Sequence, residues 1–256
     1  MKSSILTQIF LLFTNSLICQ TNLVINGDFE TKTSCPISGF EINKVPPWTS
    51  PTDATPDYFN ICSNVVGVPN NVYGFQFAHS NNGYVGIAPF LLSPVDTVYR
   101  EYIQGLLYEK LKPSTKYYMS CYINLADKPY LYSIFLAMNK FGIYFSNNQL
   151  FISTRGPLPF TPQIVADTTI FYSDTLNWMK ISGIYNASGG EQYLTIGNFS
   201  DNKHTDTMRI VKSNVLPIQS YISYYYIDDV SLYEITEPRA IADTTICLGD
   251  SLIIGA

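Results

Sequence analysis

The chain has 256 residues, with 15 Lys and Arg against 20 Asp and Glu, a formal net charge of −5 and a pI of about 4.9. Without a cationic surplus to neutralise phosphates, a nucleic-acid partner is excluded as the main business of the chain. Charged residues make up 14%, hydrophobic residues 46%, and there are 20 tyrosines. Typical globular domains carry about 25% charge, so the surface here must be solvated by Asn, Ser, Thr and Tyr, which suits an extracellular β-protein better than a cytosolic enzyme.

Residues 1–19 form a targeting signal. Lys2 supplies the positive start, and Ile9 to Phe13 opens an apolar run that reaches Ile18. That run is shorter than the roughly 20 apolar residues a membrane span requires. Cleavage is expected after Cys19, although Leu17 is a poor small-residue match. The alternative is lipidation of Cys19, against which Ile18 stands where a small residue is wanted. No later segment is apolar for long enough to cross a membrane as a helix.

From residue 20 onward, apolar and polar residues alternate and no helical period is sustained. The clearest strand is 116–126. Tyr117, Met119, Cys121, Ile123 and Leu125 share one face, expected to be core; Tyr118, Ser120, Tyr122 and Asn124 share the other. Further strands are expected over 71–78, 84–88, 98–107, 133–138, 141–146, 164–171, 178–186, 192–199 and 221–235. Turn signals such as Asn81-Asn82-Gly83 and Ser188-Gly189-Gly190 separate them. Many short strands joined by turns imply an all-β sandwich or barrel. Residues 236–243 read as a linker, and 244–256 as the start of a further strand.

Export permits disulfides. Cys35 and Cys62 lie 27 positions apart in Pro-rich loop sequence. A bridge between them would contribute about 3–4 kcal/mol by the chain-entropy estimate. Cys121 sits on the apolar face of its strand and is expected to be a buried free thiol. Cys247 falls beyond the domain and is expected to be unpaired.

Two phrases bracket the domain: NLVINGDFE (22–30) and YYYIDDVSLYEI (224–235). Together they resemble the opening and closing strands of carbohydrate-binding-module jelly rolls, the galactose-binding-like β-sandwiches. The resemblance implies a jelly roll over residues 20–235. The stretches PPWTSPTDATPDYFNIC (46–62), 99–127 and YLTIGNF (193–199) are similar to N-terminal domains of large secreted proteins from gliding, type-IX-secreting bacteria, some with an OmpA-like domain downstream. The tail TTICLGDSLIIGA (244–256) resembles the first strand of an Ig-like or PKD-like repeat. The reading is therefore of one piece of a longer surface or secreted protein. In that group, Asp-Ser/Thr followed by an aliphatic residue, Met or Thr marks O-glycosylation, and the pattern occurs at Thr97, Thr168, Thr175, Thr207, Thr244 and Ser251.

Three kinds of chemistry are weighed. Strand parity puts Asp228 on the face of Val230 and Leu232, where a carboxylate needs a cation or several donors. In the resembled jelly rolls a Glu from the first phrase and an Asp from the second help hold a structural Ca²⁺, which takes six to eight oxygens. Glu30, Asp228, Asp229 and Asp28 would supply them here. The bland alternative is that these carboxylates accept backbone or tyrosine hydrogen bonds. A glycan is the expected ligand, because pyranose faces stack on aromatic rings with polar neighbours bonding the hydroxyls. Tyr118, Tyr122 and Asn124 are the candidates, with Trp48, Tyr58 and Phe59 as loop alternatives; Trp48 after Pro46-Pro47 could equally plug one end of the core. Catalysis has the weakest basis. His79 and His204 are isolated, with His79 expected to be solvated in a turn, and no nucleophile elbow, phosphate loop or zinc spacing occurs. The expected role is a non-catalytic binding or adhesion module, with a structural spacer and an accessory domain of a polysaccharide-degrading enzyme as alternatives.

Overall fold

The computed structural model describes residues 20–93, 98–128, 133–210 and 220–236. The signal 1–19, Thr97, Cys247 and the expected linker and repeat-like tail from 237 onward lie outside the described residues. Among the described residues thirteen strands follow in order: β1 Asp57–Asn60, β2 Asn70–Asn71, β3 Gly74–Phe75, β4 Gly83–Leu92, β5 Tyr102–Leu106, β6 Lys116–Leu125, β7 Ser133–Met138, β8 Gly142–Ser146, β9 Ile164–Val165, β10 Met179–Asn186, β11 Tyr193–Gly197, β12 Thr207–Arg209 and β13 Ser220–Glu234. Among the described residues the one helical element is a 3-10 turn at Ile42–Lys44.

Strands β1-β4-β13-β6-β10 form one sheet in that order, with β7 pairing β13 and β12. Strands β5-β11-β8-β9 form the other. The path crosses repeatedly between the sheets, as in β4 to β5 to β6 and β10 to β11, which makes the sandwich a jelly roll. Between the sheets lies the main core. Tyr117, Met119, Cys121, Ile123 and Leu125 of β6 meet Ile103, Ile143, Phe145, Leu194 and Ile196 from the facing sheet. The alternation in 116–126 therefore holds at every core position. Cys121 is buried and free, and burial pushes its thiol up to about 12.

The larger sheet has a second apolar layer on its outer face. Phe59, Tyr84, Tyr224 and Tyr226 pack there beneath Val66 and Val68, with Tyr73 stacked on Tyr224 at 3.6 Å. This layer explains where sequence patterning fails. All four residues of β1 are buried, so a strand covered on both faces shows no period of two. The expected strand at 71–78 is instead a hairpin with two residues on each side, and 164–171 is a strand only at Ile164–Val165. Trp48, Tyr58 and Phe59 are at most 1% exposed. Trp48 donates from Nε1 to Asn26 O at 2.8 Å and packs on Phe29. These three are core, not sugar-binding loop aromatics.

The opening phrase joins the two sheets. Leu23 N donates to Leu232 O at 2.9 Å, Val230 N to Gly27 O at 2.9 Å, and Tyr108 N to Leu23 O at 2.9 Å. It forms no named strand, only a bridge between Val24 and Leu107. Gly27 is needed for this closure, since a Cβ there would lie 2.0 Å from Val230 O.

Two buried carboxyls lie farther along the larger sheet. A one-residue irregularity in β4 opposite Ser223–Tyr225 frees the Ala88 N–H, which donates to Glu101 Oε2 at 2.7 Å. Asp57 accepts from Tyr224 Oη and from Phe40 N. Burial pushes Asp57 up to about 6, and burial together with the Asp57 charge pushes Glu101 up to about 7. Each group binds its proton more tightly folded than unfolded, so its contribution is fully present below about pH 4 and is lost as pH rises towards 7. The unfolding free energy of the Asp57→Asn/Glu101→Gln variant, measured by denaturant titration, is expected to fall less than that of the parent between pH 4 and 7; parallel profiles would refute this.

Cys35 and Cys62 form the expected disulfide, with Cα atoms 5.9 Å apart. Replacing both by Ser is expected to cost about 3–4 kcal/mol of unfolding free energy, visible as a lower denaturant midpoint with an intact native signal.

Candidate functional site

The closing strand carries a bulge. Asp228 pairs with Tyr122 and Ser231 with Ser120, so three steps on β13 match two on β6. Asp229 takes up the extra residue at φ 48°, a left-handed conformation that Asp tolerates better than most residues. The bulge changes the face on which Asp228 lies. Ile227, Val230 and Leu232 face the main core, while Asp228 follows Tyr224 and Tyr226 onto the outer face beside Tyr122. Simple alternation, which puts Asp228 with Val230 and Leu232, is corrected by that one inserted residue.

Asp228 is fully buried and its carboxylate is satisfied by backbone donors. Oδ2 accepts from His79 N at 2.9 Å and Ser80 N at 3.1 Å, and Oδ1 from Asp229 N at 2.8 Å. Burial, with the Asp229 charge adding to it, pushes this carboxyl up to about 9 against the pull of those N–H groups. Glu30 holds the other end of the same loop. Its Oε1 accepts from Asn82 N at 2.8 Å and Gly83 N at 2.7 Å. The two bracketing phrases thus clasp residues 79–83 between them.

That arrangement does not fit a calcium donor set. Glu30 and Asp228 present their oxygens to N–H groups, and Asp229 accepts from Ser80 Oγ at 2.6 Å while pairing with His79 Nδ1. Among the described residues no group of three or more His, Cys, Asp or Glu side chains is placed to hold a metal, and Asp28 joins no such set. The carboxylates act as loop clamps.

The outer face of β13-β6-β10 has a regular layout. Cross-strand register gives three rows: Asp228, Tyr122 and Lys180; then Ser231, Ser120 and Ser182; then Tyr233, Tyr118 and Ile184. Ser120 and Ser231 hydroxyls lie 2.9 Å apart. A serine floor therefore runs across the strands between two tyrosine rows. Tyr118 and Tyr122, four residues apart, stand about 13 Å apart at the backbone at roughly 3.3 Å per residue. Both are half-buried.

Loop 79–83 and the start of β10 enlarge the Tyr122 row. The His79 ring stacks on Tyr122 at 3.7 Å, and Trp178 meets His79 edge-on at 6.0 Å. Trp178 Nε1 donates to Phe77 O at 3.1 Å. Lys180 Nζ sits 5.2 Å from the Tyr118 ring and 5.8 Å from the Tyr122 ring. The Tyr118 hydroxyl is held below its usual range: burial raises it, but hydrogen bonds with Ser182 and Lys180 and the Lys180 charge outweigh that.

Of the expected ligand residues, Tyr118 and Tyr122 therefore flank one trough, and Asn124 does not join them. Asn124 is 1% exposed, and its Nδ2 donates to Asp174 O and Asn177 O. The Asp174–Asn177 turn covers it, a contact that alternation along β6 does not reveal. His79 is an exposed turn residue, as expected, but not an isolated one: Asp229 and Tyr122 hold its ring. Lys180 and Ser182 carried a readable signal, as the polar alternates to Ile181, Gly183 and Tyr185 in strand 178–186. His79 and Trp178 arrive through loops and carried none. His204 makes only a local, exposed contact with Asp201 at 2.7 Å.

Hollows also lie elsewhere among the described residues. One of about 370 Å³ is lined by Phe145, Gln163, Tyr185 and Glu191, and one of about 340 Å³ by Phe141, Phe160, Asn198 and Phe199. Glycoside hydrolysis uses two carboxylates across a cleft. The first hollow has Glu191 alone, tied to Ser188 N and Gly189 N, and the second has no carboxylate.

No protein-family model and no curated protein matches this sequence. Solved structures with a similar path include TmCBM61 in complex with β-1,4-galactotriose, at 12% identity and TM-score 0.39 over 84% of this chain and 99% of that one. The K3 cleaved adhesin domain of Lys-gingipain from Porphyromonas gingivalis is similar at 12% identity and TM-score 0.38, over 82% and 96%. SGBP-B from a xyloglucan utilisation locus of Bacteroides uniformis is similar at 15% identity and TM-score 0.30, over 62% and 42%. None of these likenesses assigns a ligand to this chain.

Because N–H groups already engage Glu30 and Asp228, the melting temperature with chelator and with added Ca²⁺ is expected to coincide. An increase of several degrees on adding Ca²⁺ would show that the loop bonds yield to an ion. Asp228→Ala, which orphans three N–H groups, is expected to cost about 2–4 kcal/mol in denaturant unfolding.

Proposed function

We propose that residues 22–235 are a non-catalytic carbohydrate-binding module of an extracellular surface or secreted protein, and that the sugar lies in the trough between Tyr118 and Tyr122. One observation carries this reading: a floor of small hydroxyl residues between two rows of half-exposed aromatic rings. Pyranose rings offer an apolar face to tyrosine and hydroxyls to serine. The trough runs across three hydrogen-bonded strands, so little ordering is needed on binding. The Cys35–Cys62 disulfide supports an oxidising compartment, and the signal-like sequence of residues 1–19 accords with export.

A protein-adhesive role is the second reading. Phe75, Phe77 and Leu176 are 50%, 63% and 79% exposed, and Phe77 lies beside Trp178 at the border of the trough. Such a rim suits a protein contact as well as a polysaccharide chain.

A glycan array followed by titration calorimetry separates the two. The sugar reading expects Tyr122→Ala to weaken the best glycan about 10- to 30-fold, the loss typical of a buried aromatic anchor, with Tyr185→Phe on the core side unchanged. An array without any binder, or a Tyr122→Ala variant that binds as the parent does, removes it.

A further inference from the structure

We infer that the trough selects an acidic saccharide, with Lys180 Nζ as the ligand of a carboxylate or sulfate carried by the sugar. This rests on the reading of the trough as a sugar site and goes further by naming the class of sugar.

Lys180 is placed by register. It lies directly across from Tyr122 on the neighbouring strand, and its ammonium sits over both rings that flank the serine floor. Four ion pairs occur among the described residues, and they involve Lys44, His79, Lys112 and His204. Lys180 has no carboxylate partner among them. The carboxylates of its own row and the bulge are already engaged: Asp228 by three backbone N–H groups, Asp229 by His79 and Ser80. In a chain of net charge −5, this leaves a cation at the centre of an aromatic site with its charge uncompensated. Ring faces and a tyrosine hydroxyl orient an ammonium without neutralising it. A neutral sugar would exploit the hydroxyls of Ser182 and Ser231 but not this charge. A uronate or a sulfate ester would use both, through an N⁺–H···O⁻ bond of the stronger, charge-assisted kind.

The test is titration of the protein with polygalacturonate, its methyl ester and a sulfated galactan. The ester keeps the ring and removes the charge. Polygalacturonate or the sulfated galactan is expected to bind about three- to ten-fold more tightly than the uncharged ester, the range of an exposed charge pair, and the preference should shrink as salt rises. Lys180→Gln should erase it, Lys180→Arg should keep it, and Lys203→Gln, which removes the same charge outside the trough, should leave it intact. Which polymer wins tells carboxylate from sulfate. Binding of neither polygalacturonate nor the sulfated galactan above that of the ester, or a preference that survives Lys180→Gln or is lost equally in Lys203→Gln, overturns the inference. If the ester alone binds and Tyr122→Ala abolishes that binding, the sugar site stands and its acidic selectivity falls. If no polymer binds, the acidic selectivity falls, and the sugar site falls with it only if the glycan array also finds no binder.

Discussion

Between Ile227 and Val230 the closing strand changes which side of the sheet its residues face, and it does so within a single added residue. Asp229 absorbs the insertion at φ 48°. Before it, Tyr225 and Ile227 point into the sandwich; after it, Val230 and Leu232 do. The bulge therefore keeps the core continuous while turning one carboxylate, Asp228, to the outside. There it meets the N–H groups of His79 and Ser80. A β13 without the extra residue would bury Asp228 among Ile and Leu, where an unpartnered carboxylate costs several kcal/mol, or would push Val230 and Leu232 out. Bulges beside functional surfaces commonly re-aim side chains in this way.

The consequences extend outward from that point. Val230 N–H, just past the bulge, bonds Gly27 O and draws the opening segment against β13. The same segment delivers Glu30 to Asn82 and Gly83. Loop 79–83 is thereby held from both chain ends, and it is this loop that lays His79 on Tyr122. One backbone irregularity couples closure of the domain to the shape of the aromatic trough. Binding surfaces built on paired strands and loops pinned by buried groups lose little entropy when occupied, which suits a recognition module.

Much of this was legible in the sequence, and the reasons are specific. Alternation in 116–126 identified the core face of β6 because that strand is half-covered, with large apolar residues on one side only. The same logic located β7, β8, β10 and β11 within a few residues. It failed at β1, where both faces are buried, and at Asn124, whose strand position is outward but whose side chain lies beneath a turn 50 residues downstream. It misplaced Asp228 on the core face because parity is carried along a strand only while the register is unbroken. Phrases that bracket the domain were rightly paired, yet their carboxylates serve a loop.

By itself, then, the sequence determined the all-β class, the single apolar face of its clearest strand and the pairing of Cys35 with Cys62. These follow from local periodicity, turn residues and composition, which act over a few positions. Only the tertiary structure decided which outward residues stay open, that Asp228 shares a face with Tyr122, and that Lys180, Ser182, His79 and Trp178 converge on one trough. Those depend on register between strands up to about a hundred residues apart in the chain, on one bulge and on loops crossing a sheet face. None of these leaves a periodic trace in the chain itself.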